Sequence, residues 1–222
     1  MIIKNNKKIF KIYDGEKLVD RIFKGMTKVY EYLPVGYKEC KYIESTGTQY
    51  IDTNIINNSE LKVIMNFETI NLTVPQFYFG ARENISKNTF TFLLNSQKFR
   101  SDFGNKTGSN SDTVTDLVGY PKFYIEKNKN VTTIKNNTYT SNTPYISYTT
   151  NLNLYLFALN NNGSVSNFSK MKLYGFKVFK NDILIQNLIP CLDNNDTPCM
   201  YDLVTKQTYY NRGTGTFDYE LL

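Results

Sequence analysis

From Val35 to its end the chain repeats one short unit, a run of alternating apolar and polar residues closed by Asn, Gly, Asp or Ser. Leu61, Val63, Met65 and Phe67 fall on one side and Lys62, Asn66 and Glu68 on the other, which is the period of a half-buried strand. The segments FYFGAR at 77–82, TFTFLLN at 89–95, KFRSDFG at 98–104, KFYIEKN at 122–128, LNLYLFAL at 152–159, MKLYGFKVF at 171–179 and ILIQNLI at 183–189 follow the same rule. Turn residues separate them, as NKN at 128–130, NNNG at 160–163 and ND at 181–182. No stretch carries a 3.6-residue period. A dozen or more strands over roughly 190 residues is the size of a two-sheet sandwich, so the expected fold is an all-β jelly roll.

The first thirty residues obey a different rule. They divide into rows of ten, IIKNNKKIFK at 2–11, IYDGEKLVDR at 12–21 and IFKGMTKVYE at 22–31. Each row opens on Ile and an apolar residue, has a residue tolerant of positive φ at its fourth position (Asn5, Gly15, Gly25) and a β-branched one at its eighth (Ile9, Val19, Val29). That spells strand, tight turn, strand, and predicts a small N-terminal β meander over 1–32 followed by a sandwich over 33–222. A meander this short buries too little surface to stand alone, so it is expected to dock on something larger. The Lys residues from Lys4 to Lys11 belong to this alternating pattern and read as a solvated face.

Composition narrows the chemistry. With no His, the chain lacks the commonest general acid/base and transition-metal ligand, and its three Cys are too few for a Cys-only tetrahedral zinc site. No cofactor and no metal are expected. The net charge of +6 comes from scattered Lys rather than a basic stripe, so no nucleic-acid partner is expected. No apolar run reaches the length of a membrane span, so no membrane insertion is expected. The opening MIIKNNKKIFKIYDG has neither an apolar signal region nor a cleavage site, so synthesis and folding in a cytoplasm are expected. Cys40, Cys191 and Cys199, odd in number and irregular in spacing, read as reduced thiols.

The segment IESTGTQYIDT at 43–53, preceded by LPVGYKECKY at 33–42, resembles the opening of the concanavalin A-like, laminin-G-like (LamG-like) sandwich domains of bacteriophage virion proteins and some bacterial surface proteins. GAR at 80–82, KFRSDFG at 98–104, KLYGFKVFKNDILIQNLIPC at 172–191, MYDLVTKQTYYN at 200–211 and GTGTF at 213–217 resemble that family in the same order, covering nearly everything from Leu33 onward. The ten-residue rows resemble the short β repeats that precede such domains in phage tail and head-fibre proteins. The resemblance implies a non-enzymatic virion protein, a fibre or tail-associated subunit. Residues 1–32 would dock it to other virion proteins and its lectin-like sandwich would face outward, toward host-surface glycans. Subunits of this kind are often trimers, so a homo-oligomer is implied. A bacterial cell-surface adhesin module is the alternative, and a polysaccharide-degrading enzyme on the same fold a further one. From the residues alone, Gly47 and the pair Gly213/Gly215 interrupt β-type sequence where the first and last sandwich strands are expected side by side.

Several residues are candidates for a site. Two of only four Arg, Arg82 and Arg100, fall with Asp102 in family-like segments, and a planar guanidinium suits a sugar hydroxyl or carboxylate. The competing reading is a structural ion pair across neighbouring strands. Tyr145 and Tyr148, in the irregular NTPYISY at 142–148, are candidates for a sugar-stacking platform, against the alternative that they pack in the core. No catalytic residue is expected. Glu60 and Glu68 are too far apart along one strand for a glycosidase pair, and Asp112 and Asp116 lie in a Ser/Thr-rich connection. Asp193-Asn194-Asn195-Asp196 is read as a turn within a surface loop at 192–199 rather than a calcium loop.

Overall fold

The computed structural model describes residues 33–70, 75–95, 99–105, 122–134 and 145–222, and the strand backbones at 2–4, 7–9, 12–14, 17–19, 21–24, 27–31, 98 and 137–140. In the N-terminal rows β1 (Ile2–Lys4) pairs with β2 (Lys7–Ile9), β3 (Ile12–Asp14) with β4 (Lys17–Val19), and β5 (Arg21–Lys24) with β6 (Thr27–Glu31). The first position of a row faces the eighth, Ile2 opposite Ile9 and Ile12 opposite Val19, while an irregularity in the third row sets Ile22 opposite Tyr30. Among the described residues these strands pair two by two, each pair a two-stranded sheet of its own. The turn positions Asn5, Gly15 and Gly25 lie outside the described residues.

The rest is all-β, two sheets stacked as a sandwich. One sheet runs β15 (Asn137–Thr140), β14 (Val131–Ile134), β13 (Phe123–Asn128), β9 (Leu61–Thr69), β19 (Lys170–Lys180), β7 (Lys38–Thr46), β20 (Ile183–Leu192), β21 (Pro198–Asp202) and β22 (Thr208–Tyr209), with β23 (Asp218–Leu221) against β7. The other runs β12 (Lys98–Gly104), β11 (Thr89–Asn95), β10 (Gln76–Arg82), β16 (Thr149–Leu156) and β8 (Ile51–Asn58). To β10 it adds the parallel strand β17 (Leu159–Asn161), and to β17 the strand β18 (Ser164–Ser166).

Alternation dictates what lies between the sheets. Leu61, Val63, Met65 and Phe67 of β9 and Met171, Leu173, Phe176 and Val178 of β19 face Phe79, Ala81, Phe90, Phe92, Leu94, Leu154 and Leu156 in one continuous core. Aromatic rings do most of the filling. Phe67 lies 4.6 Å from Tyr78 and 5.4 Å from Phe123, and Phe79 lies 5.7 Å from Phe176, mostly in tilted or edge-on contacts that suit the ring quadrupole. The same alternation sends Lys127 inward after Phe123 and Ile125, and it is fully buried. Its Nζ donates to Ser101 Oγ at 2.6 Å and to the Lys129 carbonyl at 3.2 Å, and lies 4.7 Å from the Phe90 ring centroid. Hydrogen bonds and a π face thus replace the water that a buried ammonium loses.

The first and last sandwich strands lie side by side, Tyr219 opposite Ile43 and Asp218 opposite Glu44. A lock beside them ties the two glycine segments together. Gln49 Oε1 accepts from the Thr46 amide at 2.9 Å and from Ser45 Oγ at 3.1 Å, while its Nε2 donates to the Thr216 carbonyl at 3.0 Å. The Thr214 amide donates to the Thr48 carbonyl at 3.1 Å.

The 192–199 segment is tighter than a loop. Pairing continues through Cys191 opposite Cys199 and Leu192 opposite Pro198, leaving a hairpin turn. Asp193 Oδ1 closes it, accepting from the amides of Asn195 at 2.8 Å and Thr197 at 2.9 Å. Burial opposes the Asp193 charge, yet these amides and the Tyr210 hydroxyl hold its carboxyl below the usual range.

Candidate functional site

Arg82, Arg100 and Asp102 meet on the outer face of β10–β12. Arg100 Nε donates to Asp102 Oδ1 at 2.8 Å, a pair formed within one strand, and the Asp102 side chain is only 4% exposed. Arg82 Nε donates to Asn161 Oδ1 at 2.9 Å, fastening β10 to β17, and its guanidinium lies 5.7 Å from the Phe77 ring centroid. Burial pulls the Arg82 pKa down, Asp102 pushes it up and Arg100 lowers it. The three are thus committed to one another and to the sheet.

Tyr145 and Tyr148 sit at an end of the sandwich. The Tyr145 ring stacks on Phe103 at 5.7 Å and carries the Lys129 ammonium at 5.1 Å, while its hydroxyl donates to Glu60 Oε1 at 2.7 Å. That bond, with Lys129, keeps the Glu60 carboxyl below its ordinary pKa against a small burial cost. Tyr148 packs against the core and its hydroxyl donates to the Thr89 carbonyl at 3.0 Å, and burial drives its pKa well up. Beside Tyr145 the turns at Glu60, Lys129 and Asp182 frame a cleft of 360 Å³ in which Lys62 Nζ and Asp182 Oδ1 are 2.8 Å apart. The five sequence candidates therefore belong to two places: Arg82, Arg100 and the buried Asp102 on one sheet face, and the half-buried Tyr148 and the exposed Tyr145 at an end of the sandwich.

A second cleft, of 310 Å³, opens where the β8 edge meets the segment after β22. Its walls are Asp52, Asn54 and the run from Gln207 to Arg212. The Arg212 amide donates to the Tyr50 carbonyl at 2.8 Å, and Asn211 Oδ1 accepts from the Tyr50 amide at 3.2 Å, which fastens the segment to the residue just before β8. Ile51 and Thr53 point inward, which turns Asp52 and Asn54 outward. Asp52 accepts from the Asn54 amide at 2.9 Å through Oδ1 and from Asn153 Nδ2 at 3.2 Å through Oδ2. Two of roughly four carboxylate lone-pair positions are then spoken for, which leaves acceptor capacity facing the cleft.

The Tyr210 ring, 40% exposed, lines the same space. Its hydroxyl donates to Asp193 Oδ2 at 3.0 Å, so the β20–β21 turn fixes how the ring is presented. Burial first, then the neighbouring Asp193, pushes the Tyr210 phenol pKa up. Tyr155 lies beside the cleft, 4.8 Å from Tyr50 between ring centroids, and its pKa is raised by burial, by Asp52 and by Tyr50 and lowered by Arg212. Asp52, Asn54, Tyr210, Asn211 and Arg212 thus share one cleft, polar and charged residues beside a ring held by Asp193. The outward alternation of Asp52 and Asn54 in YIDTN and the lone Arg of YYNRG at 209–213 were the available sequence signals.

Carboxylates are spread across this outer face. Register links Asp102, Thr91, Gly80, Tyr155 and Asp52 in one row over five strands. Four strand spacings put Asp52 and Asp102 about 19 Å apart, beyond the separations used by glycosidase acid pairs. Asp112 and Asp116 lie outside the described residues. Among the described residues no cluster of three His, Cys, Asp or Glu side chains is placed to hold a metal. No protein-family model matches the chain, and no curated protein matches it.

Proposed function

We propose that this chain is a non-enzymatic structural protein of a bacteriophage virion, a fibre or tail-associated subunit. Residues 1–32 dock it to other virion proteins, and its outward sandwich, of the concanavalin A-like jelly-roll type, binds host-surface glycans. The observation that supports the binding role is the cleft of 310 Å³ lined by Asp52, Tyr210 and Arg212. The virion assignment rests on the sequence resemblance of IESTGTQYIDT and GTGTF, whose residues form the lock between first and last strands.

In this cleft Asp52 accepts from sugar hydroxyls, Arg212 and Asn54 donate to ring and hydroxyl oxygens, and Tyr210 covers an apolar sugar face. Tyr210→Ala is expected to weaken glycan binding at least tenfold, equal to about 1.4 kcal/mol, whereas Tyr210→Phe keeps the ring and most of the affinity. Calorimetric titration of both variants checks this, with thermal melts to confirm folding. For the docking role, particles assembled with the chain lacking residues 1–32 are expected to be free of it. Mass spectrometry that still finds the truncated chain on particles overturns that role.

A further inference from the structure

We infer that Cys191 and Cys199 are a redox pair that closes into a cross-strand disulfide when the protein meets an oxidising medium. The two residues are directly opposite in the β20–β21 ladder, with their Sγ atoms 3.5 Å apart and both side chains fully buried. Directly opposed antiparallel residues have Cα atoms about 4.5–5.5 Å apart, inside the range of about 4.4–6.8 Å that a disulfide spans. Only the sulfurs must approach, to about 2 Å. Cys40 is also buried, and it lies on β7, outside this hairpin. All three cysteines are free thiols in the structure.

The chemistry is thiol–disulfide exchange with a low-molecular-weight disulfide. One thiolate attacks that disulfide, forming a mixed disulfide and expelling one small thiol. The second cysteine then displaces the other small thiol as the Sγ–Sγ bond forms. Two protons and two electrons leave the cysteines and appear in two small-molecule thiols. The hydrogen bond with Cys199, followed by burial, pushes the Cys191 thiol far above its ordinary pKa, and burial raises Cys40 to about 12. Few thiolates therefore exist in the closed protein, and oxidation waits on opening of the hairpin. Once made, the bond is shielded from reductants by the same burial. It also braces the turn that holds Asp193, and through it the Tyr210 ring.

The test is incubation of the full-length protein with excess oxidised glutathione, alone and in urea below the unfolding midpoint. Free thiols are then counted by maleimide labelling after denaturation. The expected result is a fall from three labels to one and a mass lower by about 2 Da. Cleavage before Asp193 or Asp196 should leave peptides joined only through Cys191 and Cys199, and Cys40→Ser should form the same link. The melting temperature should rise by about 5 °C. Three labels after prolonged exposure in both conditions, or a link that includes Cys40, overturns the inference.

Discussion

Replacing Phe67 by Ala is expected to cost about 3–5 kcal/mol of stability. The ring is fully buried and lies within 6.0 Å, centroid to centroid, of Tyr78, Phe92, Phe99 and Phe123. These partners come from both sheets, so truncation opens a cavity at the centre of the sandwich that neither sheet can close alone. Domains of this kind have about 5–15 kcal/mol in total, so the variant should be marginal or unfolded at physiological temperature. Urea unfolding checks it. A large fall in the midpoint at unchanged m is predicted, and Phe67→Leu should lose distinctly less.

Gly213→Ala should be almost as damaging, about 3 kcal/mol or more, for a different reason. A Cβ at Gly213 would stand 2.0 Å from the Thr48 carbonyl oxygen and 3.1 Å from the Gln49 Cα, both backbone atoms. Nothing flexible is available to yield, so the 211–216 segment must lift. Lifting it strains the Thr214–Thr48 hydrogen bond and the Gln49 contact to Thr216, which lie beside the paired first and last strands. Gly163→Ala is a useful control, because no atom lies within 4 Å of a Cβ there, although its φ of +88° carries a modest cost of its own. Thermal melts should separate the two variants by several degrees.

The sandwich was legible because its signal is local. Alternation in LKVIMNF assigns side chains to faces without any knowledge of partners, and the inward and outward residues follow it, whereas TFTFLLN is buried on both faces up to Asn95. The same rule would have found Lys127, since Phe123 and Ile125 set its parity. Ser101, Phe90 and the Lys129 carbonyl, among the groups that make an interior Lys tolerable, are supplied by distant or turn geometry. The strand pairs of the N-terminal rows were legible, whereas whether neighbouring rows share a ladder depends on pairing that a ten-residue period does not encode.

The cleft was harder to see. Asp52 and Arg212 are separated by nearly the whole sandwich in sequence, and they come together because the segment after β22 is fastened to Tyr50, just before β8. Arg82, Arg100 and Asp102 were conspicuous by rarity, but rarity does not distinguish a ligand site from an ion pair fastening a sheet. The Arg100–Asp102 contact at 2.8 Å and the Arg82–Asn161 contact at 2.9 Å occupy those side chains. Tyr145 and Tyr148 stood out for their irregular setting, and their hydroxyls are engaged by Glu60 and the Thr89 carbonyl.

The central claim is that this sandwich recognises glycans through the cleft beside β8. Its most direct test is binding of the full-length chain to an array of bacterial surface oligosaccharides and polysaccharides, run beside Asp52→Ala. The wild-type chain should be retained on a subset of these sugars, and the variant should lose that retention. A folded wild-type chain that is retained by none of them, or a variant retained equally well, would contradict it.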